Sequence, residues 1–225
     1  MPWGRAGGAS RRAKAALDCA AMPLGADAQT RKLERRGEVS ARLRSGIREL
    51  ASDHTFSELR VDEIAAAAGL SRSAFYFYYP DKHGLLIDAT REVTEELFEH
   101  SNVWWRGSGD PRALVRRALK SFVATFAEHA DLLRMTMEAS VDDDRVREFW
   151  TGIVDAFIEA VAERVGSDQE AGIVSRAFCP ESCAEFLVIA TEGYLYRNVA
   201  IGTHSTEQTV AALVPIWLQL LYPTG

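Results

Sequence analysis

Residues 59–82 read LRVDEIAAAAGLSRSAFYFYYPDK, and this stretch decides the fold of the chain. The apolar residues before Gly69 recur at helical spacing, and Gly69 ends that helix because glycine accepts a positive φ. Ser71 supplies an N-cap for a second short helix that runs through Tyr78. Two short helices joined by a tight Gly-Leu-Ser turn predict a helix-turn-helix.

The chain outside this stretch, from Leu33 onward, is also predicted to be helical. Apolar residues recur three and four positions apart in each segment, and pairs such as Asp110-Pro111 are typical helix starts. No run of strand length alternates between apolar and polar residues. The sequence therefore predicts an all-α fold of about nine helices.

The N-terminal residues are basic, whereas the C-terminal part of the chain is acidic. The 225 residues carry a formal net charge of −6, which by itself argues against a nucleic-acid partner. Residues 1–36, however, hold eight Lys and Arg against three Asp and Glu, whereas residues 83–225 hold 12 against 22. The basic N-terminal part is predicted to bind a polyanion. The alternative is a solvated basic tail that has no partner.

Composition and motifs exclude several classes of protein. The apolar run Val210–Leu218 is too short to cross a membrane, and three cysteines do not build a disulfide scaffold. We therefore predict a cytoplasmic protein. No HExxH, phosphate-binding glycine loop or Gly-x-Ser-x-Gly motif occurs, so we predict neither an enzyme nor a cofactor. Cys179 and Cys183 lack a matching His pair, and we predict no metal site.

The pattern IAxxAGxSxxxxYxYYPxKxxL, from Ile64 to Leu85, resembles the DNA-binding domain of TetR-family transcriptional regulators. The resemblance spans residues 38–103 and implies a homodimer that binds double-stranded operator DNA. Arg60 departs from the family, which has a small hydroxyl residue at that N-cap. The DNA-binding residues that the resemblance and the side-chain chemistry indicate are Arg60, Ser71, Arg72, Ser73, Ala74, Tyr76, Tyr78 and Lys82.

The chemistry of these side chains suits the two kinds of contact that DNA offers. Arg72 can donate two parallel hydrogen bonds to guanine, which reads sequence. Arg60 and Lys82 can neutralise phosphates, which adds affinity without reading sequence. Arg42 and Arg44 could do the same, or could simply form a solvated helix face.

Residues 110–221 carry a surplus of aromatic side chains on faces that the helical pattern turns inward. An ordinary filled core explains this surplus as well as a ligand cavity does. The YFYYP motif, Phe-Trp at 149–150 and the terminal PIWLQLLY resemble the EthR-type repressor subgroup, which implies a channel for a small apolar ligand. The candidate ligand-binding residues are Phe122, Phe126, Trp150, Phe157, Phe186, Thr191, Tyr194 and Trp217.

These observations divide the chain into a disordered basic arm (1–32), a helix-turn-helix domain (33–80), and a ligand-binding and dimerisation domain (81–225) that opens with a linking helix (81–103). Met22 is a candidate start. The resemblance implies a repressor that a small apolar ligand releases from a palindromic operator. The alternative is a regulator with a solid bundle that signals through a protein partner. Residues 208–225 carry no charge and are expected at the dimer surface.

Overall fold

The computed structural model describes residues 26–223, with side chains from residue 34 onward. Its contacts divide the chain into two units, residues 1–39 and 40–225, and the site residues discussed below belong to the second. Nine α-helices and one π-helical turn make up the regular structure of the described residues, which contain no strand. The all-α prediction is confirmed. No helix in the described part of the chain has both the length and the apolar composition needed to cross a membrane.

Short connections join the helices. In chain order they are α1 (Ala26–Leu50), α2 (Val61–Ala67), α3 (Arg72–Tyr78), α4 (Lys82–Trp105), α5 (Pro111–Glu128), α6 (Ala130–Ala139), α7 (Asp144–Glu170), α8 (Pro180–Leu195), the π-helical turn Tyr196–Ala200 and α9 (Thr206–Leu221). The side chains of Ser71, Asp81, Asp110 and Ser205 each accept a backbone N–H bond from the helix that follows them. These polar caps set where the helices begin.

The first helix is longer than its apolar pattern predicted. It begins at Ala26 rather than near Leu33, so residues 26–32 are helical and do not belong to a disordered arm. This segment contains neither Gly nor Pro and is rich in Ala, Gln, Lys and Arg, so helix propensity extends the helix beyond its apolar face. The remainder of the predicted arm, residues 1–25 with the candidate start Met22, lies outside the described residues.

The turn of the helix-turn-helix is built around Gly69. Its φ is +65°, and the N–H groups of Gly69 and Leu70 donate to the carbonyls of Ala66 and Ala65 at 2.9 and 2.8 Å. This pair of bonds is a Schellman motif, which ends α2 and redirects the chain into α3. The guanidinium of Arg42 donates to the carbonyls of Ala68 and Gly69. Arg42 therefore caps the end of α2 while remaining exposed to solvent.

The helix α3 is held to α4 by its buried side. Phe75 and Tyr79 are buried, as their spacing of four residues predicts. The Tyr79 hydroxyl donates to Asp88 Oδ2 at 2.5 Å, and Arg44 Nη1 donates to the same oxygen at 3.0 Å. Burial and the Asp88 carboxylate raise the pKa of Tyr79, so its hydroxyl stays protonated and donates. Arg44 is thus part of a structural ion pair and does not stand in solvent.

A buried polar network closes the other end of the bundle. Tyr222, just after α9, donates its hydroxyl proton to Asp168 Oδ2 at 2.5 Å and accepts from Trp104 Nε1 at 3.1 Å. Arg164 Nε pairs with the same Asp168 oxygen at 3.0 Å. The network joins α4, α7 and the end of α9, and it satisfies polar groups that burial would otherwise penalise.

Candidate DNA-binding face and ligand cavity

The outer side of α3 presents two rows of exposed side chains. Arg72 and Tyr76 form one row, and Ser73 and Phe77 form the other, because residues four apart share a helix face. Phe77 is 67% exposed although no role was predicted for it. Its spacing of four residues from Ser73 is the signal that would have found it. An isolated helix with such a face fits the width of a DNA major groove.

Asp62 holds the guanidinium of Arg72 in place. Its Oδ1 accepts from Arg72 Nη1 at 2.5 Å, and its Oδ2 pairs with Arg60 Nη2 at 3.2 Å. Arg72 Nη2 also donates to the Tyr76 hydroxyl at 3.2 Å. Sequence reasoning missed Asp62 because an acid in the first turn of a helix is already explained by the helix dipole.

Arg60 begins α2 without acting as a side-chain cap. Its backbone N–H donates to Glu63 Oε2 at 2.8 Å, so Glu63 closes the helix start that a hydroxyl residue would otherwise close. The Arg60 side chain is 71% exposed. It is therefore placed where a phosphate could approach it.

Of the other residues predicted for this face, two are exposed and two are half-buried. Ser71 and Ser73 are exposed, and their hydroxyl oxygens lie 3.0 Å apart. The hydroxyl oxygen of Ser71 also accepts from the N–H of Ala74 at 3.2 Å. Ala74 and Tyr78 are half-buried, and the Tyr78 ring meets Phe77 edge-on at 5.2 Å between centroids.

The ammonium group of Lys82 binds backbone carbonyls of the protein, which the sequence did not indicate. Its Nζ donates to the carbonyl oxygens of Phe56 and Leu59 at 2.6 and 2.8 Å and lies 4.5 Å from the Phe56 ring centroid. Burial lowers its pKa. Lys82 therefore ties the loop before α2 to the start of α4, and any contact with a phosphate is made from this position.

A cavity of about 90 Å³ lies inside the bundle, room for roughly three water molecules. Its walls come from α4, α5, α7, α8 and α9 and are almost entirely apolar. Six of the eight candidate ligand-binding residues line it: Phe122, Phe126, Trp150, Phe157, Thr191 and Trp217. The structure thus brings most of the predicted set together around one space.

The two remaining candidates lie elsewhere. Phe186 was expected to point inward, but its side chain is 64% exposed on the outer face of α8. Tyr194 is half-buried, with its ring 6.3 Å from that of His204, and does not line the cavity. Helix α8 is apolar on most of its circumference, so periodicity alone could not identify its inner face. Trp104 and Trp105, which close α4 and were not predicted, line the cavity instead.

Two tryptophan side chains bond to the polar groups of the cavity. Trp217 Nε1 donates to Thr191 Oγ1 at 3.0 Å, and Trp150 Nε1 donates to Glu192 Oε1 at 2.6 Å. Phe157, on the cavity wall, stacks on Phe98 at 4.1 Å between ring centroids. Within the described residues no group of three or more His, Cys, Asp or Glu side chains could hold a metal ion.

A polar junction links the start of α4 to the start of α7. Arg145 Nη1 donates to Asp81 Oδ2 at 2.8 Å, and its Nη2 donates to Asp143 Oδ2 at 3.1 Å. His83 lies between the two carboxylates, with Nε2 3.6 Å from Asp143. Asp81 is also the N-cap of α4, directly after the helix-turn-helix. We call these four residues the Asp81 junction.

Comparison with known proteins places both halves of the chain. The family described as bacterial regulatory proteins, tetR family, matches residues 43–89, and that described as transcriptional regulator EthR, C-terminal domain, matches residues 115–223. The EthR regulator of Mycolicibacterium smegmatis is 30% identical over 174 residues, covering 75% of this chain and 79% of its own. The chain belongs to the TetR family of bacterial transcriptional regulators. Its relatives are regulators and not enzymes.

Further similarities show the same fold at lower identity. EthR of Mycobacterium tuberculosis H37Rv is 25% identical and aligns over 83% of this TetR-family chain and 93% of its own. The structure of FadR from Thermus thermophilus with lauroyl-CoA has a TM-score of 0.58 and 22% identity, covering 80% and 93% of the two chains. AibR with isovaleryl coenzyme A and operator DNA has a TM-score of 0.62 and 16% identity, covering 84% and 100%.

Replacing Lys82 by Met should destabilise this TetR-family protein as well as weaken DNA binding. The carbonyls of Phe56 and Leu59 would lose a charged donor, so we expect the free energy of unfolding to fall by about 1–3 kcal/mol in urea denaturation. Arg60→Met is the matched control, because its side chain is exposed; its change should stay within about 0.5 kcal/mol. Equal stability of both variants would contradict the structural role of Lys82.

Proposed function

We propose that this TetR-family protein is a homodimeric repressor that leaves a palindromic operator when a small apolar ligand enters its cavity. One observation carries the proposal: the helices that line the cavity also hold the recognition helix. Helix α4 lines the cavity near its end and binds Tyr79 through Asp88. Helix α7 contributes Trp150 and Phe157 to the cavity, and its Arg145 bonds to Asp81, the residue directly after the helix-turn-helix.

The exposed rows of α3 support the readout of an operator sequence. Arg72 stands at the start of the helix, and its guanidinium is already oriented by Asp62 and Tyr76. A side chain held in this way loses less entropy on binding a guanine than a free arginine does. Arg60 lies at the edge of the same face and is suited to a phosphate.

Replacing Arg72 by Ala should relax sequence preference, whereas Arg60→Ala should weaken binding to all sequences. We expect Arg72→Ala to lose about 1–3 kcal/mol of discrimination at one base pair, because it removes a bidentate contact. Arg60→Ala should instead lower the salt dependence of binding by about one phosphate contact. Fluorescence anisotropy with DNA from upstream of the chain's own gene, and with single-base variants of it, measures both. Full discrimination by Arg72→Ala would refute the assignment.

Exposed apolar stripes on α8 and α9 support the homodimer. Phe186 and Ile189 are 64% and 49% exposed on α8, and Ile216 and Leu220 are 55% and 37% exposed on α9. Contiguous apolar surface of this kind is rare on monomers. A second copy of the chain is the occupant that we propose, since a two-fold pair would place two recognition helices about 34–36 Å apart, in successive major grooves.

Replacing Phe186 by Glu should shift the protein toward the monomer, because it would bury a charge between two apolar stripes. Sedimentation equilibrium should show at least a tenfold weaker dimer. Val141→Glu is the matched control, because Val141 is 74% exposed in the loop between α6 and α7, away from both stripes. An unchanged dimer in Phe186→Glu, or a dimer lost in Val141→Glu, would contradict the assigned interface.

The cavity favours a small ligand over a solid bundle that signals through a protein. Its walls suit a hydrocarbon chain or ring, and its volume limits the ligand to a few carbon atoms beyond its head group. FadR and AibR were solved with acyl-coenzyme A ligands. No basic side chain lies among the residues that line the cavity here, so phosphates would have to remain outside it.

Ligand release should depend on the Asp81 junction. A straight-chain alcohol, acid or amine of three or four carbons that binds the cavity should weaken DNA affinity about 5- to 150-fold, the usual range of coupling between two sites. In Arg145→Ala the same compound should still raise the melting temperature but should weaken DNA affinity several-fold less. DNA anisotropy with and without the compound measures this coupling.

Arg147→Ala is the control for the junction. Arg147 lies in the first turn of α7 but pairs with Asp144 and with loop carbonyls, not with Asp81. Its coupling should equal that of the wild type. If none of the compounds weakens DNA binding by the wild type, the proposed release is wrong. If Arg145→Ala keeps full coupling, the signal does not pass through this junction.

A further inference from the structure

Glu192 is the single charged side chain among the described residues that line the cavity. It lies on α8 and is half-buried. Its Oε1 accepts from Trp150 Nε1 at 2.6 Å, and no basic side chain of the described residues pairs with it. An indole N–H is neutral, so the negative charge of the carboxylate is solvated but not compensated.

Each hydroxyl group of the cavity already makes a hydrogen bond within the protein. Thr94 Oγ1 donates to the carbonyl of Arg91 and Ser101 Oγ donates to that of Leu97, each at 2.9 Å, within their own helix. Thr191 Oγ1 accepts from Trp217. The strongest group left for a ligand is therefore an anionic acceptor at the edge of an apolar space.

We propose that the ligand of this cavity is a small apolar amine whose ammonium group binds the Glu192 carboxylate. The inference rests on the proposed function and names the chemical class of its ligand. The ammonium would donate to the free Oε2 of Glu192 while the hydrocarbon part lies against the aromatic walls. Aromatic rings around the site also attract a cation. The volume fits a chain of roughly three or four carbon atoms, since a methylene group and a water molecule are of similar size.

Other head groups match this site less well. A carboxylate ligand would place a second negative charge beside Glu192, which is unfavourable in a poorly hydrated cavity. An alcohol could donate one hydrogen bond, but it would displace water from the carboxylate and leave its charge uncompensated. An amine replaces that water with a charged donor, and charge-assisted hydrogen bonds are about twice as strong as neutral ones.

Isothermal titration calorimetry of the full chain with three probes of equal length tests the inference. The probes are n-butylammonium, butan-1-ol and butanoate at neutral pH. We expect butylammonium to bind about tenfold more tightly than butan-1-ol, and butanoate to bind most weakly. The three share one hydrocarbon chain, so the ranking reports the head group alone.

The variant Glu192→Gln removes the charge while keeping the shape and the acceptor for Trp150. In this variant the preference for butylammonium should vanish or reverse, and butan-1-ol should bind within a few-fold of its wild-type affinity. Glu159→Gln is the matched control, because Glu159 is exposed on α7 and does not line the cavity. It changes the net charge equally and should keep the wild-type ranking.

The outcomes separate this inference from the proposed function. If butan-1-ol or butanoate binds the wild type as tightly as butylammonium, or if the amine preference survives Glu192→Gln, the amine is excluded and the ligand-responsive cavity stands. If none of the three probes binds, both proposals fall. If Glu192→Gln does not fold by circular dichroism, the ranking in the wild type decides alone.

Discussion

The hydrogen bond from Tyr79 to Asp88 is the constraint on which the DNA-binding half depends. A helix of seven residues such as α3 has no stability of its own, since helices this short are marginal in water. Its orientation comes from burying Phe75 and Tyr79 and from the shared acceptor on α4, which Arg44 also holds. The position of α3 is therefore set by α4.

The contacts near the DNA-binding half differ in chemistry from the contacts around the cavity. Toward the DNA, the contacts are ion pairs and charged hydrogen bonds at partly exposed positions, such as Arg145 with Asp81 and Arg48 with Glu92. Toward the cavity, they are stacked and edge-on aromatic rings, with Phe157 at the centre. Rigid rings convert a change in cavity volume into displacement, because packed interiors transmit strain. Exposed ion pairs exchange partners at little cost, since water and salt screen their attraction.

Sequence reasoning succeeded where a local signal decides the structure and failed where tertiary contacts decide it. The caps at Ser71 and Asp110 and the turn at Gly69 are local, and the structure has them where they were predicted. The inward aromatics of the amphipathic helices α5 and α7 were also found. Phe186 was misplaced because α8 is apolar on most sides. The ties of Lys82 to two carbonyls some 23 to 26 residues earlier leave no trace in its local pattern.

Four of the chain's five tryptophans, Trp104, Trp105, Trp150 and Trp217, line the cavity. Two of them donate their indole N–H to polar groups of the cavity, and Trp104 donates to Tyr222. Indole emission responds to the polarity and hydrogen bonding of its surroundings. The fluorescence of these four tryptophans therefore responds to changes inside the cavity. The protein thus carries an optical reporter of cavity occupancy in its own sequence, free of any label.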